Sequence, residues 1–357
     1  MHVTELASFG VGIVGYGSWG RNHARVFNEF EDARVTAICD ARITSLEDAA
    51  RRFPDAHLTA SVDDLLGMSD VDVVVVCTPA SAHFGVTRQC LLARRHVLVE
   101  KPITTNSREA VLLEELAEEF DLTLMVGHTF LYNQGVLKLK ECIATGEVGR
   151  VHYLYARRTN LGPIRHDVNA LWDLAPHDIA IFNHLIDATP LWVSAVGARV
   201  LRQQLEDVGF ISLAYPDNVL GHIHVSWSDP SKVREVVVVG SKERVVFDDV
   251  DTVEQVRIYE RGVEAVSSEH VDGFAEIRLS VRDGDIRSPR LAAWEPLKRE
   301  CAHFLECVRD GVPPMSGAAQ GIDVVRVMEA IDASLALHGA PVEVRRQNVA
   351  LEAVVGS

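Results

Sequence analysis

Three side chains able to move or hold a proton stand out by position: Lys101, Asp173 and His177. Lys101 follows the apolar run His96-Val97-Leu98-Val99 and Glu100, and precedes Pro102. A strand ending there delivers the lysine to the carboxyl edge of a parallel sheet, where the ligands of such sheets bind. Pro102 keeps the residue before it extended, and Glu100 is placed to orient the ammonium. A lysine in a surface loop would look similar locally, and the strand end is what favours chemistry. Asp173 and His177 are four apart and share one face if residues 172–185 are helical. Pro176 is tolerated in a first turn, so regular helix is expected to begin near it. The pair then stands at a helix start aimed at a site, with Asn169 just upstream; the alternative is that Asp173 caps the turn and His177 is solvated. Arg157, Arg158, Asn160 and Arg165 gather around Gly162-Pro163. They read either as a clamp for a phosphate or carboxylate or as a solvated charged face.

These groups need a scaffold, and its most informative stretch lies near the start. The apolar run from Phe9 breaks into Gly15-x-Gly17-x-x-Gly20, with Ser18 and Trp19 inside it, and then into a helical pattern. A strand, this glycine spacing and a helix make the dinucleotide-binding fingerprint in its proper context. The glycines permit a tight turn, backbone approach to a pyrophosphate and close packing of helix on strand. A second strand, 34–39, ends in Asp40, which can accept hydrogen bonds from a ribose diol and would repel a 2′-phosphate. NAD is therefore expected over NADP, although Arg42 is near enough to offer a 2′-phosphate a partner. In Thr78-Pro79-x-x-x-His83, the histidine either lines the cofactor crevice or caps the next helix, and His128, just past Gly127, is equally ambiguous.

Helical periods at 45–53, 62–66, 84–93 and 107–120, the last with Ser107 as N-cap, alternate with strands at 71–77, 96–99 and 122–127. That alternation is a doubly wound parallel sheet. After His128 the pattern changes to helix 133–145, then strands 151–158, 191–202, 210–215, 219–227, 233–240, 243–247 and 253–259, interrupted by helix 172–185. Residues 267–293 are polar with weak periodicity, and helices 295–309 and 320–337 close the chain. Hairpin punctuation such as Pro216-Asp217-Asn218 implies mostly antiparallel pairing. The expected class is α/β: a Rossmann dinucleotide-binding domain over 1–127, then an α+β domain with an open, mostly antiparallel sheet over 128–357 for substrate and oligomer contacts. His222, His224 and Ser226 alternate with Ile223, Val225 and Trp227. No carboxylate or cysteine partners those histidines, so no metal site is expected. A polar sheet face of this kind points to a homodimer or homotetramer.

The chain has 357 residues and a formal net charge of −16, which argues against nucleic acid as a partner. No apolar run reaches the ~20 residues of a membrane span. Residues 1–8 lack a signal-peptide pattern, so a cytoplasmic protein without a membrane partner is expected. The six cysteines show no paired spacing and read as reduced core residues.

Together, Gly15-x-Gly17-x-x-Gly20, Cys77-Thr78-Pro79 with His83, Glu100-Lys101-Pro102, Gly127-His128 and Asp173-x-x-x-His177 resemble the glucose-fructose oxidoreductase / inositol dehydrogenase / MocA family nearly end to end. Tyr16-Gly17-Ser18-Trp19-Gly20-Arg21-Asn22, Asn160-Leu161-Gly162, Asn169-Ala170-Leu171-Trp172, Ala175-Pro176-His177-Asp178 and Glu295-Pro296-Leu297 are similar to its nucleotide-sugar branch, which includes UDP-N-acetylglucosaminuronate 3-dehydrogenases. Members of that branch often carry Ser where this chain has Asp173. The resemblance implies an NAD-dependent enzyme moving hydride between nicotinamide and a secondary carbinol carbon, sugar C3, of a nucleotide sugar. It makes Lys101 and His177 a joint acid–base pair at the carbinol oxygen, assisted by Asp173. It puts His128, Arg158, Asn160, Arg165 and Asn169 around the substrate, and Glu100 with Thr78, Pro79 and His83 around the cofactor. An unperturbed Lys has a pKa of about 10.4, and burial beside a cationic nicotinamide lowers it toward a useful base. Other readings are an inositol-like polyol dehydrogenase, a deoxysugar ketoreductase, or a non-catalytic NAD-binding sensor, the last having no need of an acid–base pair.

Overall fold

Local periodicity dictates the N-terminal half. The computed structural model describes residues 8–162, 164, 168–201, 204–267 and 277–345. Strand β1 (Phe9–Val14) leads into α1 (Ser18–Phe27), β2 (Ala33–Cys39) into α2 (Ile43–Arg52), and β3 (His57–Thr59) into the short α3 (Val62–Leu66). Then follow β4 (Val73–Val76), α4 (Ala80–Leu92), β5 (His96–Glu100), α5 (Ser107–Glu119) and β6 (Leu124–Gly127). The six strands are parallel, in the order β3-β2-β1-β4-β5-β6. The four consecutive valines of β4 are fully buried, as a strand covered on both faces requires. Each contributes about 1.5–3 kcal/mol of transfer free energy. The strand order reverses between β1 and β4, and the crevice outside their carboxyl ends is where such sheets take ligands. Ser107 is not the cap of α5: Asn106 is, its side chain accepting from Glu109 N at 2.9 Å.

Beyond a 3-10 turn (Thr129–Tyr132), α6 (Gln134–Ala144) is capped by Asn133 and followed by β7 (Val151–Leu161) and α7 (Ala170–Ile186). The remaining strands are β8 (Trp192–Ala198), β9 (Val208–Ala214), β10 (Leu220–Ser226), β11 (Ser228–Gly240), β12 (Arg244–Asp248), β13 (Val256–Tyr259), β14 (Gly262–Ser267), β15 (Ile277–Arg282) and β16 (Ile286–Arg287). Helices α8 (Pro296–Asp310) and α9 (Ala318–Ala336) precede β17 (Val342–Glu343). Nine strands form one sheet, β16-β13-β12-β11-β7-β10-β9-β8-β17. Its pairs are antiparallel except β7 with β10. The stretch 267–293, expected to be polar and weakly periodic, contains β15 and β16; β15 pairs antiparallel with β14 as a separate two-stranded sheet, and β16 joins the large sheet beside β13.

Helix α7 begins six residues before Pro176, not at it. Asn169 supplies the cap, accepting from Trp172 N at 2.9 Å, and Pro176 lies inside the helix. The last two helices return to the first sheet. Ala318, Ile322 and Val325 of α9 share a core with Val74, Val76, Val97, Val99, Leu113 and Val126. Ser107 N and Oγ both donate to the Glu329 carboxylate at 2.7 Å. The nucleotide half thus takes part of its core from the far end of the chain. No described helix is long and apolar enough to cross a membrane.

Candidate active site

The cofactor end is built by close backbone approach. Gly15 has φ +92°, and a Cβ there would lie 2.7 Å from the Cys77 backbone. A Cβ on Gly20 would lie 2.0 Å from Gly15 O, so α1 packs at a distance no larger residue allows. Helix α1 opens with no side-chain cap and no acidic residue in its first turn, and Ser18 and Trp19 are exposed. Its first N–H groups therefore suit an anion such as a pyrophosphate. Asp40 ends the neighbouring strand as expected, with its carboxylate already engaged. It accepts from Tyr16 N at 2.7 Å and Arg42 N at 2.8 Å, and from the Arg42 guanidinium at 3.1 and 3.2 Å. Against its burial, which raises the value, the Arg42 and Tyr16 hydrogen bonds hold the carboxyl below its ordinary pKa.

Thr78 and Pro79 lie between β4 and α4, at the crevice. His83 neither caps α4 nor offers a ring nitrogen to a ligand. Its Nδ1 lies 2.7 Å from Pro102 O and its Nε2 2.8 Å from Thr78 O, tying one crevice loop to the other. Burial lowers its pKa. Glu100 does not hold the Lys101 ammonium either. One carboxyl oxygen accepts the Lys101 backbone N–H at 3.2 Å, and the other lies 2.9 Å from His23 Nε2.

The chemical end joins the two halves. Lys101 follows β5, and its Nζ donates to the backbone carbonyl of Asp173 at 3.0 Å, with Asp173 Oδ1 at 4.0 Å. One turn on, His177 meets Phe130 edge to face, ring centroids 5.0 Å apart. Burial above all, then Lys101 and Arg158, pushes the His177 pKa well below its ordinary value, so the ring is neutral at pH 7. His128, after β6, is buried with neither ring nitrogen hydrogen-bonded to a described residue. Burial and Lys101 push its pKa down to about 4. Lys101, His128, Asp173 and His177 thus form one electrostatically coupled cluster between the sheets.

The described members of the expected anion clamp do not converge. Arg158 is buried, and its Nε and Nη2 donate to Asp178 Oδ2 and Oδ1 at 2.9 and 2.7 Å. Its guanidinium also lies 4.3 Å from the Phe130 ring centre. Strand alternation sends Arg157 to the opposite face, while Asn160 shares the face of Arg158. Asn169 is committed to capping α7 and to Glu206, its Nδ2 3.2 Å from Oε2. Arg165, with Pro163, lies outside the described residues. The sequence reading missed His23, Phe130, Asp178 and Arg234. Arg234 stands directly opposite Arg158 in the sheet register, its Nη1 3.6 Å from Asp249 Oδ2, and its charge reaches His177. Asp178, next to His177 in the chain, was the one with a visible signal: a carboxylate on the apolar side of a helix needs a cation.

Residues 9–128 match the model of the oxidoreductase family with an NAD-binding Rossmann fold, and residues 136–246 match that of the GFO/IDH/MocA C-terminal domain. A myo-inositol 2-dehydrogenase of Thermotoga maritima is 25% identical over 263 residues, spanning 71% of this chain and 79% of that protein. A UDP-N-acetylglucosamine 3-dehydrogenase of Acidithiobacillus ferrooxidans is 31% identical over 200 residues, 55% of this chain and 60% of that protein. The crystal structure of GenD2 from gentamicin A biosynthesis, in complex with NAD, superposes with a TM-score of 0.78 at 26% identity, covering 94% of this chain and 96% of that one. With the glycine turn open to an anion, Asp40 just past the end of β2 and Lys101 facing α7, the chain belongs to the GFO/IDH/MocA family and is an oxidoreductase with an NAD-binding Rossmann domain.

Proposed function

We propose that this protein oxidises or reduces a secondary carbinol carbon, C3, of a nucleotide sugar such as a UDP-N-acetylhexosamine or its uronate. The observation carrying the reading is the Lys101 ammonium reaching from the nucleotide half to Asp173, one turn from a neutral His177. The nicotinamide supplies the hydride acceptor or donor at its C4. The chain's own residues handle the single proton: one neutral nitrogen of the Lys101–His177 pair accepts it from the carbinol oxygen during oxidation and returns it during reduction, while the other member hydrogen-bonds that oxygen. Positioned proton transfer of this kind contributes about 10²–10⁴-fold. Asp173 holds Lys101 through its backbone carbonyl, and His128, in the same cluster, has two ring nitrogens that no described residue engages. The likeness to a UDP-N-acetylglucosamine 3-dehydrogenase supports the sugar class. Turnover of UDP-N-acetylglucosamine and its uronate, followed at the reduced-nicotinamide absorbance beside free inositols, tests it. Turnover of inositols alone removes the nucleotide sugar.

That second outcome has its own support, because Arg158 is bound by Asp178 and so withheld from a diphosphate. A polyol needs no such clamp. We also infer a homodimer or homotetramer joined over the outer face of the large sheet. Tyr153, Phe210 and Leu220 stand about half exposed there, and Phe210 stacks on His224 with centroids 4.4 Å apart.

A further inference from the structure

Helix α7 holds a cation at the end where helices disfavour one. The Lys101 ammonium donates to the backbone carbonyl of Asp173 at 3.0 Å, although the helix begins only at Ala170. The groups a helix leaves unpaired at its start are N–H donors, and its dipole there opposes positive charge. Carbonyls of the first turns ordinarily serve N–H groups four residues on. A lysine arriving at this end meets no outward carbonyl in a regular helix, yet Lys101 has one.

Pro176 accounts for the exception. It is buried inside α7 and has no N–H, so the Trp172 carbonyl loses its helical donor. The proline ring also crowds that carbonyl, and a proline so placed pushes the turn before it open. The next carbonyl along the chain is that of Asp173, the one that Lys101 takes. Beyond the proline the helix continues to Ile186, anchored by Asp178, which accepts from buried Arg158 at 2.7 and 2.9 Å. The distortion therefore falls in the turn between Asp173 and His177. A carbonyl engages one of the three ammonium hydrogens and leaves two for other acceptors, a carbinol oxygen among them.

We propose that Pro176 is a positioning residue for the proton-handling pair: by withdrawing one helical donor it turns the Asp173 carbonyl outward, which fixes the Lys101 ammonium one turn from His177. Pro176 acts through Asp173 and touches no reacting atom. The inference rests on Lys101 acting at the carbinol oxygen and is independent of which sugar or polyol is the substrate.

The test compares the unmodified full chain with Pro176→Ala, Pro176→Gly and Lys101→Ala. Crystal structures of the unmodified protein and Pro176→Ala read the placement with no substrate present. The distance from Lys101 Nζ to Asp173 O, 3.0 Å here, should lengthen beyond hydrogen-bonding reach in the variant; an unchanged distance overturns the proposal whatever the turnover. Turnover is followed on whichever of UDP-N-acetylglucosamine, its uronate and the inositols the unmodified protein accepts. In both proline variants kcat should fall by about tenfold or more, as displacement of a reacting group requires, with KM and dinucleotide affinity retained. Alanine favours the helix far more than proline does, and glycine much less than alanine, so a loss common to both follows the restored N–H and not helix stability. Lys101→Ala separates the two claims. Normal turnover in that variant defeats the acid–base reading and this proposal with it. Impaired turnover there, beside normal kcat in either proline variant, leaves the acid–base reading standing and overturns the role of Pro176.

Discussion

His23 Nε2 lies 2.9 Å from Glu100 Oε1, fully buried, and joins the cofactor helix α1 to the strand end that carries Lys101. The other ring nitrogen faces Cys301 Sγ of α8 at 3.5 Å. Removing the carboxyl leaves a buried imidazole without its partner, a loss of about 1–3 kcal/mol. Glu100→Ala should therefore lower the unfolding free energy, measured by urea denaturation, by that amount and reduce turnover, because Lys101 N also loses its acceptor. Unchanged stability and turnover in this variant would show the contact to be idle.

Lys101→Ala and His177→Ala should each lower single-turnover hydride transfer by about 10²-fold or more. Both act on one proton, so the double variant should cost far less than the product of the two losses. Dinucleotide affinity, measured separately by titration, distinguishes lost chemistry from a lost site. Near-normal turnover in both single variants would remove the pair from the mechanism.

The buried pair of Arg158 and Asp178 behaves as a unit. Arg158→Met leaves an unpaired buried carboxylate and should destabilise the fold by about 3–5 kcal/mol. Adding Asp178→Leu should recover much of that loss, since it removes the stranded charge. Equilibrium unfolding of the two variants checks this. A double variant no more stable than Arg158→Met contradicts it.

Burial depresses the pKa of His128 to about 4, against an ordinary value of about 6.5. The unfolded chain therefore binds a proton that the native chain refuses. The stability gained is complete above the unfolded value and is lost as pH falls from about 6.5 toward 4. His128→Phe should flatten the decline of stability across that window. Parallel unfolding curves for the variant and the unmodified protein, measured from pH 7 to 4, would assign the decline to other groups.

If copies join over the large sheet, Phe210→Asp places a carboxylate in the apolar centre of the joint. Light scattering should then report a smaller species with unchanged secondary structure. An unaltered mass puts the interface elsewhere.

The nucleotide half was legible in the amino-acid order because its determinants are local. The spacing of Gly15, Gly17 and Gly20 and the valine run of β4 report backbone geometry and burial directly. The strand end at Lys101 and the shared face of Asp173 and His177 followed from the same periods. The partners of the charged groups did not. Asn169 rather than Asp173 caps α7, and the helix extends through Pro176. Arg158 turns to Asp178, Glu100 turns to His23 at a separation of 77 residues, and Arg234 arrives opposite Arg158 only through the β7–β11 register. Which cation meets which carboxylate is settled by packing between elements distant in sequence. Periodicity says which face a side chain takes, but not what stands opposite it.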